Sequence, residues 1–248
     1  MNGCFVKLLA GAALGSVAMF GAQINTISEK YGDGEAPYTV TTNIPGLSSA
    51  TVICDDDIDS WASSGSWPVV ETSLTTIDGG VPSYMEFGGP QGAVGTKKYI
   101  QASTTTYQQA AYLAVEEMIY AANYSIGNNK YIVDAIQTAI WDLFCTSGCA
   151  SVSNGGNEST SYWTSLVTGA GWLGTQGNNG FQAQVVAMAG EINFLTDSAD
   201  HTPGGGGTGT SYQEFIVITP EPATYALFGM GLILLSLGTF RRRAKKSN

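Results

Sequence analysis

Gln137 is the side chain of this sequence that most needs an explanation. It lies in "KYIVDAIQTAIWDLF", a stretch with helical periodicity from about Lys130 to Phe144. On a helical projection Val133, Ile136, Ile140, Leu143 and Phe144 form one apolar arc. Asp134, Thr138 and Asp142 form a polar face, and Gln137 falls inside the apolar arc between Phe144 and Trp141. A desolvated carboxamide costs about 1–3 kcal/mol if it is left without partners. It therefore needs good hydrogen bonds or a covalent bond, and the thiols bear on the second option. Cys4 lies in a segment expected to be removed, which leaves Cys54, Cys145 and Cys149. Cys145 and Cys149, in "CTSGC", stand four residues apart at the end of the same helix. One helical turn brings their Cα atoms to about 6 Å, within disulfide range. An oxidising exterior makes that bond the default and leaves Cys54 as the odd cysteine.

The elements around these residues can be read coarsely. Gln23 to about Gly46 reads as an irregular or weakly stranded start. "SSATVIC" (Ser48 to Cys54) reads as a strand, broken by the carboxylates of "DDDID". "WPVVETSLTTI" (Trp67 to Ile77) reads as a second strand, ending at the hairpin-type turn Asp78-Gly79-Gly80. "KKYIQAS" is another short strand. A helix from about Thr105 to Asn123 places Tyr107, Ala111, Val115, Met118 and Ala122 on one side. The Gln137 helix follows, and a third is expected from Gly180 to Leu195. "HTPGGGGTGTS" reads as a flexible loop, and "YQEFIVI" as a last strand. Strands, then helices, then a strand predict an α+β body over 23–218, a strand framework with a two- to three-helix insertion.

Three short segments resemble motifs of bacterial thioester domains. "IQTAIW" (Ile136 to Trp141) is similar to their Gln motif, "VICDD" to their Cys motif, and "YQEFI" (Tyr212 to Ile216) to their third motif. They come in the family order. Ile53 and Ile136 stand where that family more often has an aromatic or Leu and a Thr. The resemblance implies an internal thioester between Cys54 and Gln137. The Cys54 thiolate would attack the Gln137 carbonyl, expel ammonia and leave an acyl group open to an amine or hydroxyl of a target. Asp55, Asp56 and Asp57 oppose this, since nearby anions raise a thiol pKa.

The charge distribution addresses location. The chain of 248 residues carries a net charge of −10 with 12% charged residues and 32 Gly. All 20 acidic residues lie between Glu29 and Glu221, opposed there only by Lys30, Lys97, Lys98 and Lys130. Such a body lacks the clustered cations that nucleic acid requires. Residues 1–22 have the layout of a secretory signal peptide: Lys7, an apolar run from Leu8 to about Phe20, then small residues. At the other end, 223–240 is uncharged and nearly long enough for a single span, and Arg241, Arg242, Arg243, Lys245 and Lys246 follow. Pro220, Glu221 and Pro222 precede it. The tripeptide, the span and the Arg run over 219–248 resemble the PEP-CTERM sorting signal of exported bacterial proteins. That resemblance implies a Gram-negative host that makes extracellular polysaccharide, and an exosortase-type enzyme that processes the tail. The expected route is the inner membrane with the body periplasmic, then the cell surface or extracellular matrix.

Other constellations carry less. "DDDIDS" lacks the ligand spacing of an EF-hand loop and reads as a solvated acidic turn, so no metal is expected. The single His201 leaves little material for a catalytic triad or a His-based zinc site. No cofactor is expected. Trp163 and Trp172 are candidates for glycan contact, beside the usual role of Trp in packing. The function expected is non-enzymatic: a surface or matrix protein in adhesion or biofilm matrix, with a covalent adhesin using Cys54 and Gln137 as the alternative.

Overall fold

A computed structural model of the chain describes residues 22–29, 37–55, 66–89, 93–94, 97–147, 156–174, 180–198 and 214–219. The signal peptide and sorting signal expected at the ends, with Pro220, Glu221, Pro222 and Arg241 to Arg243, lie outside them. No helix among the described residues is long and apolar enough to cross a membrane.

Six strands close into an antiparallel barrel. β1 (Gln23–Glu29), β2 (Tyr38–Thr42) and β3 (Ser49–Cys54) pair in sequence. β4 (Trp67–Ser73) pairs with β1 and with β8 (Ile192–Asp197), and β9 (Phe215–Ile218) lies between β3 and β8. The order around the barrel is β1-β2-β3-β9-β8-β4. Side chains alternate across each strand. Val52, Cys54, Phe215, Val217 and Leu195 turn into the barrel with Ile24, Tyr38, Val40 and Trp67. Ile53, Ile216 and Phe194 turn the other way, onto a layer of helices. β3, β8 and β9 are thus covered on both faces.

The helices come from the long insertion between β4 and β8. α1 (Leu74–Asp78) follows β4, and α2 (Thr104–Ala121), α3 (Asn129–Phe144), α4 (Thr160–Thr168) and α5 (Phe181–Ala187) form the layer. β5 (Ala93–Val94), β6 (Lys97–Tyr99) and β7 (Cys145–Ser147) make a small separate sheet. The Ser103 hydroxyl caps α2 by accepting from the Thr106 amide at 3.1 Å, and the Thr106 hydroxyl accepts from the Ser103 amide. Glutamines on α2 tie it to its neighbours. Gln108 donates to Asp78 at 2.8 Å and accepts from Gln182 at 2.9 Å, while Gln109 donates to the Val167 carbonyl at 2.8 Å.

The α+β class holds, with corrections inside it. The start of the body, expected to be irregular or weakly stranded, forms two barrel strands. A bulge between Ile24 and Thr26 puts both Ile24 and Ile27 inside, three residues apart, which hides the two-residue period. The strand at Trp67 stops at Ser73, whose hydroxyl caps α1 by accepting from the Thr76 amide at 3.2 Å. Asp78-Gly79-Gly80 therefore follows a helix instead of turning a hairpin. The helix expected from Gly180 to Leu195 ends at Ala187, and its second half is β8. There the run "INFLT" pairs with β4 and β9, and this tertiary pairing outweighs local helix propensity. α2 buries Tyr107, Ala110, Ala111, Ala114, Glu117 and Ala121, so its inner stripe is rotated away from Met118 and Ala122.

Candidate functional site

α3 runs through the middle of the molecule. Every residue from Ile132 to Phe144 is buried except Asp142. Its polar face is covered by α4: Thr138 and Thr160 share a hydroxyl hydrogen bond at 2.6 Å, and Thr164 donates to Asp142 at 3.3 Å. The opposite side packs on the helix-facing surface of the barrel through Ile136, Ile140 and Phe144.

Gln137 sits on that packed side and is 0% exposed. Its Nε2 donates to the backbone carbonyl of Cys54 at 2.5 Å. Its Oε1 is buried with no hydrogen-bond partner among the described residues. The two residues are 83 positions apart in sequence, and the fold joins them at one point, where the last residue of β3 meets the middle of α3. Phe215, in the third motif, is the register partner of Cys54 across β3 and β9. All three segments singled out in the sequence thus converge. The Cys54 side chain is fully buried, is not part of a disulfide, and packs with the barrel-interior residues. The carboxamide approaches from the helix side and meets the Cys54 carbonyl first.

Beside this contact lies a set of buried acids that the sequence reading missed. Asp55 and Glu214 are both 0% exposed, so Asp55 is not part of a solvated turn; Asp56, Asp57 and Asp59 lie outside the described residues. Glu214 Oε2 accepts from the Thr196 hydroxyl and from the Glu86 amide, the latter at 3.2 Å. The Asp55 carboxyl and the Tyr107 hydroxyl also act on it electrostatically. Tyr107 in turn accepts from the Phe87 amide at 3.2 Å. Burial pushes the Glu214 carboxyl above its ordinary value, against the downward pull of Asp55, Thr196, the Glu86 amide and Tyr107. Burial also pushes the Tyr107 phenol up, reinforced by the charges of Glu214 and Asp55. The signal for Glu214 was present. It precedes Phe215, so strand alternation puts it on the Ile216 face, toward the helices.

A second buried acid, Glu117 on α2, has neither oxygen hydrogen-bonded among the described residues. Burial pushes its carboxyl well above the ordinary range, and the Asp134 charge adds to this. The native state therefore holds this proton more tightly than the unfolded chain. Its stabilising contribution is complete below the ordinary carboxylate range and is lost as pH rises above it. The melting temperature is expected to fall as pH rises above the ordinary carboxylate range. Glu117→Gln is expected to fall less and to melt roughly 2–4 °C higher at the upper pH, by circular dichroism. Equal pH slopes for the two proteins would show that Glu117 is not the source.

The remaining expected sites are placed as follows. Cys145 is disulfide-bonded, as expected; it opens β7 with extended backbone, φ −114 and ψ 140, so the bond is not made across one helical turn, and Cys149 lies outside the described residues. Trp163 and Trp172 are each 4% exposed. Trp163 donates to the Asn157 carbonyl at 2.7 Å and packs edge-on to Tyr120 and Tyr162, and Trp172 packs edge-on to Tyr112. Neither offers the open ring face that stacking on a sugar needs, so both are corrected to packing residues. His201 lies outside the described residues. Compared with family models, with curated proteins and with solved structures, the chain matches none.

Proposed function

We propose that this is an exported, non-enzymatic surface or matrix protein whose body is a covalent adhesin built on a Cys54–Gln137 thioester. The observation that carries the reading is Gln137 itself: wholly buried, with its amide nitrogen against Cys54 and its carbonyl oxygen unpartnered. An orphaned buried acceptor is an expense that native structures rarely retain without a use. Conversion to a thioester removes the amide donors and leaves a weaker acceptor that needs no partner. The thiol hydrogen and the carboxamide NH2 leave together as ammonia while the Sγ–Cδ bond forms, so the step consumes no oxidant. Cys54 is the last residue of β3, the point of the strand with most freedom to turn Sγ from the barrel interior toward Gln137.

Export supplies the setting. The acidic body, delivered through the inner membrane and processed by an exosortase-type enzyme at Pro220 to Pro222, reaches the surface or the polysaccharide matrix. Cys145 and Cys149 pair there, and Cys54 is kept for the thioester. An amine or hydroxyl of a target displaces Sγ once and remains bound to the Gln137 acyl group, which is attachment without turnover.

Intact mass of the purified body tests this. It is expected about 17 Da below the encoded value, the mass of the expelled ammonia. An unshifted mass, with Cys54 alkylated in the folded protein, leaves only a non-covalent surface protein.

A further inference from the structure

Thioester formation, on the reading above, passes through a tetrahedral carbon at Gln137 Cδ. The carboxamide oxygen then carries a full negative charge. A buried oxyanion with no donor facing it is strongly disfavoured, so the reaction needs an N–H or O–H aimed at Oε1. The Cys54 carbonyl cannot supply one: it is an acceptor, and it takes the Nε2 edge of the carboxamide at 2.5 Å. Oε1 is the other edge, and among the described residues no donor reaches it in the amide state.

Trp141 has the complementary deficit. Its indole N–H, a donor that cannot accept, is buried with no acceptor among the described residues. Trp141 stands four positions after Gln137 on α3, in the same "IQTAIW" segment. Residues so spaced are neighbours on a helix, with Cβ atoms about 5–6 Å apart, and long side chains lean back over the preceding turn. The indole therefore leans over the turn that carries Gln137. It is 9% exposed and, among the described residues, takes no part in the apolar clusters that hold Ile140, Leu143 and Phe144. Trp172, whose indole N–H is in the same state, stands between α4 and α5 against Tyr112 and is not on α3. One helical turn thus holds an acceptor without a donor and a donor without an acceptor, where native structures rarely keep either.

We propose that the Trp141 indole N–H is the oxyanion donor of the thioester site. As Sγ bonds to Cδ, the carbonyl electron pair moves onto Oε1, which accepts from Trp141 Nε1. Return of that pair breaks the Cδ–N bond, and the nitrogen leaves as ammonia with the thiol hydrogen. Attack by a target amine raises the same oxyanion a second time. The Cδ–S bond then breaks, and Sγ leaves with the proton that the amine gives up. The indole loses no proton in either step, so one donor serves both formation of the bond and its capture.

The experiment follows the full chain by intact mass, first through the loss of roughly 17 Da and then through addition of methylamine, for the native sequence, Trp141→Phe and Trp141→His. Phe keeps most of the ring and removes the N–H. His is smaller but can place a ring N–H where Nε1 stood. Circular dichroism identifies the molecules that have folded. Among these, Trp141→Phe is expected to slow both mass loss and methylamine capture roughly 100-fold, the lower range for removal of one oxyanion donor. Trp141→His is expected to run several-fold faster than Trp141→Phe in both steps. A packing role ranks the two variants the other way, because His leaves the larger cavity. A role as a mere cover makes Trp141→Phe capture methylamine faster than the native chain. Either result, or a Trp141→Phe rate equal to the native one, overturns the donor role while native mass loss keeps the thioester standing. If the native chain never loses mass, both fall together.

Discussion

Cys54→Ala and Gln137→Glu are each expected to abolish covalent capture of a small amine completely, whereas Cys145→Ala leaves it intact. Methylamine incubated with the native body should add its full mass to the thioester form, and a Cys54 thiol should appear in equal amount. Cys54→Ala removes the nucleophile without crowding the site, because Ala is smaller and the barrel interior around it is apolar. Its expected mass is the encoded one, with the carboxamide unchanged. Gln137→Glu keeps the shape of the side chain and removes the chemistry. A carboxylic acid would have to condense with the thiol by losing water, which is uphill without activation, so the thiol and acid simply coexist. That variant also places a titratable group where the native residue is 0% exposed. Its carboxyl is expected to stay protonated near neutral pH, at a stability loss of about 1–3 kcal/mol. Retention of amine capture in either variant would remove these two residues from the chemistry.

Much of this arrangement could be read from sequence because two periodicities meet in it. The helical projection of "KYIVDAIQTAIWDLF" put Gln137 on an apolar arc, and the structure buries it there. The β-branched ends of "SSATVIC" and "FIVI" marked β3 and β9, whose antiparallel pairing brings Cys54 against Phe215. What was not legible depends on contacts made across the chain. The polar face of α3 is buried because α4 lies over it, and "TSYWTSLVT" carries too little apolar pattern to announce a helix. β1 was hidden by its bulge, and β8 because "INFLT" continues a helical run until its partners are known. The buried acids were the hardest to foresee. Asp55 stands in a run that read as a solvated acidic turn and Glu117 on a helix whose expected inner stripe did not include it, and only the packing of α2, α3 and the barrel wall takes them out of water.

Phe144→Ala is expected to have the largest effect on stability, with a functional signature of its own. Phe144 is fully buried and stacks on Phe87 with centroids 4.4 Å apart and planes at 21°. It meets Tyr107 edge-on at 5.2 Å, and Tyr107 meets Phe194 of β8 at 5.0 Å and 89°. These rings connect α3 to α2 and to the barrel wall, so truncation opens a cavity at the junction of three elements. A loss of about 3–5 kcal/mol follows from the usual penalty for a buried Phe, measured by urea titration. Phe144 also lies two turns from Gln137 on one side of α3, and Phe87 follows Glu86, whose amide holds the Glu214 carboxyl. The cavity therefore opens beneath the rings, about 10 Å along the helix axis from Gln137 but in the packed layer that encloses it. Water admitted there is expected to hydrolyse the thioester, leaving a carboxylic acid where the carboxamide was, at a mass about 18 Da above the thioester form. Phe144→Leu, which refills most of the volume, is expected to recover stability and to keep the lower mass. A variant that is destabilised yet holds its thioester as long as the native chain would show that these rings support the fold without keeping water from the bond.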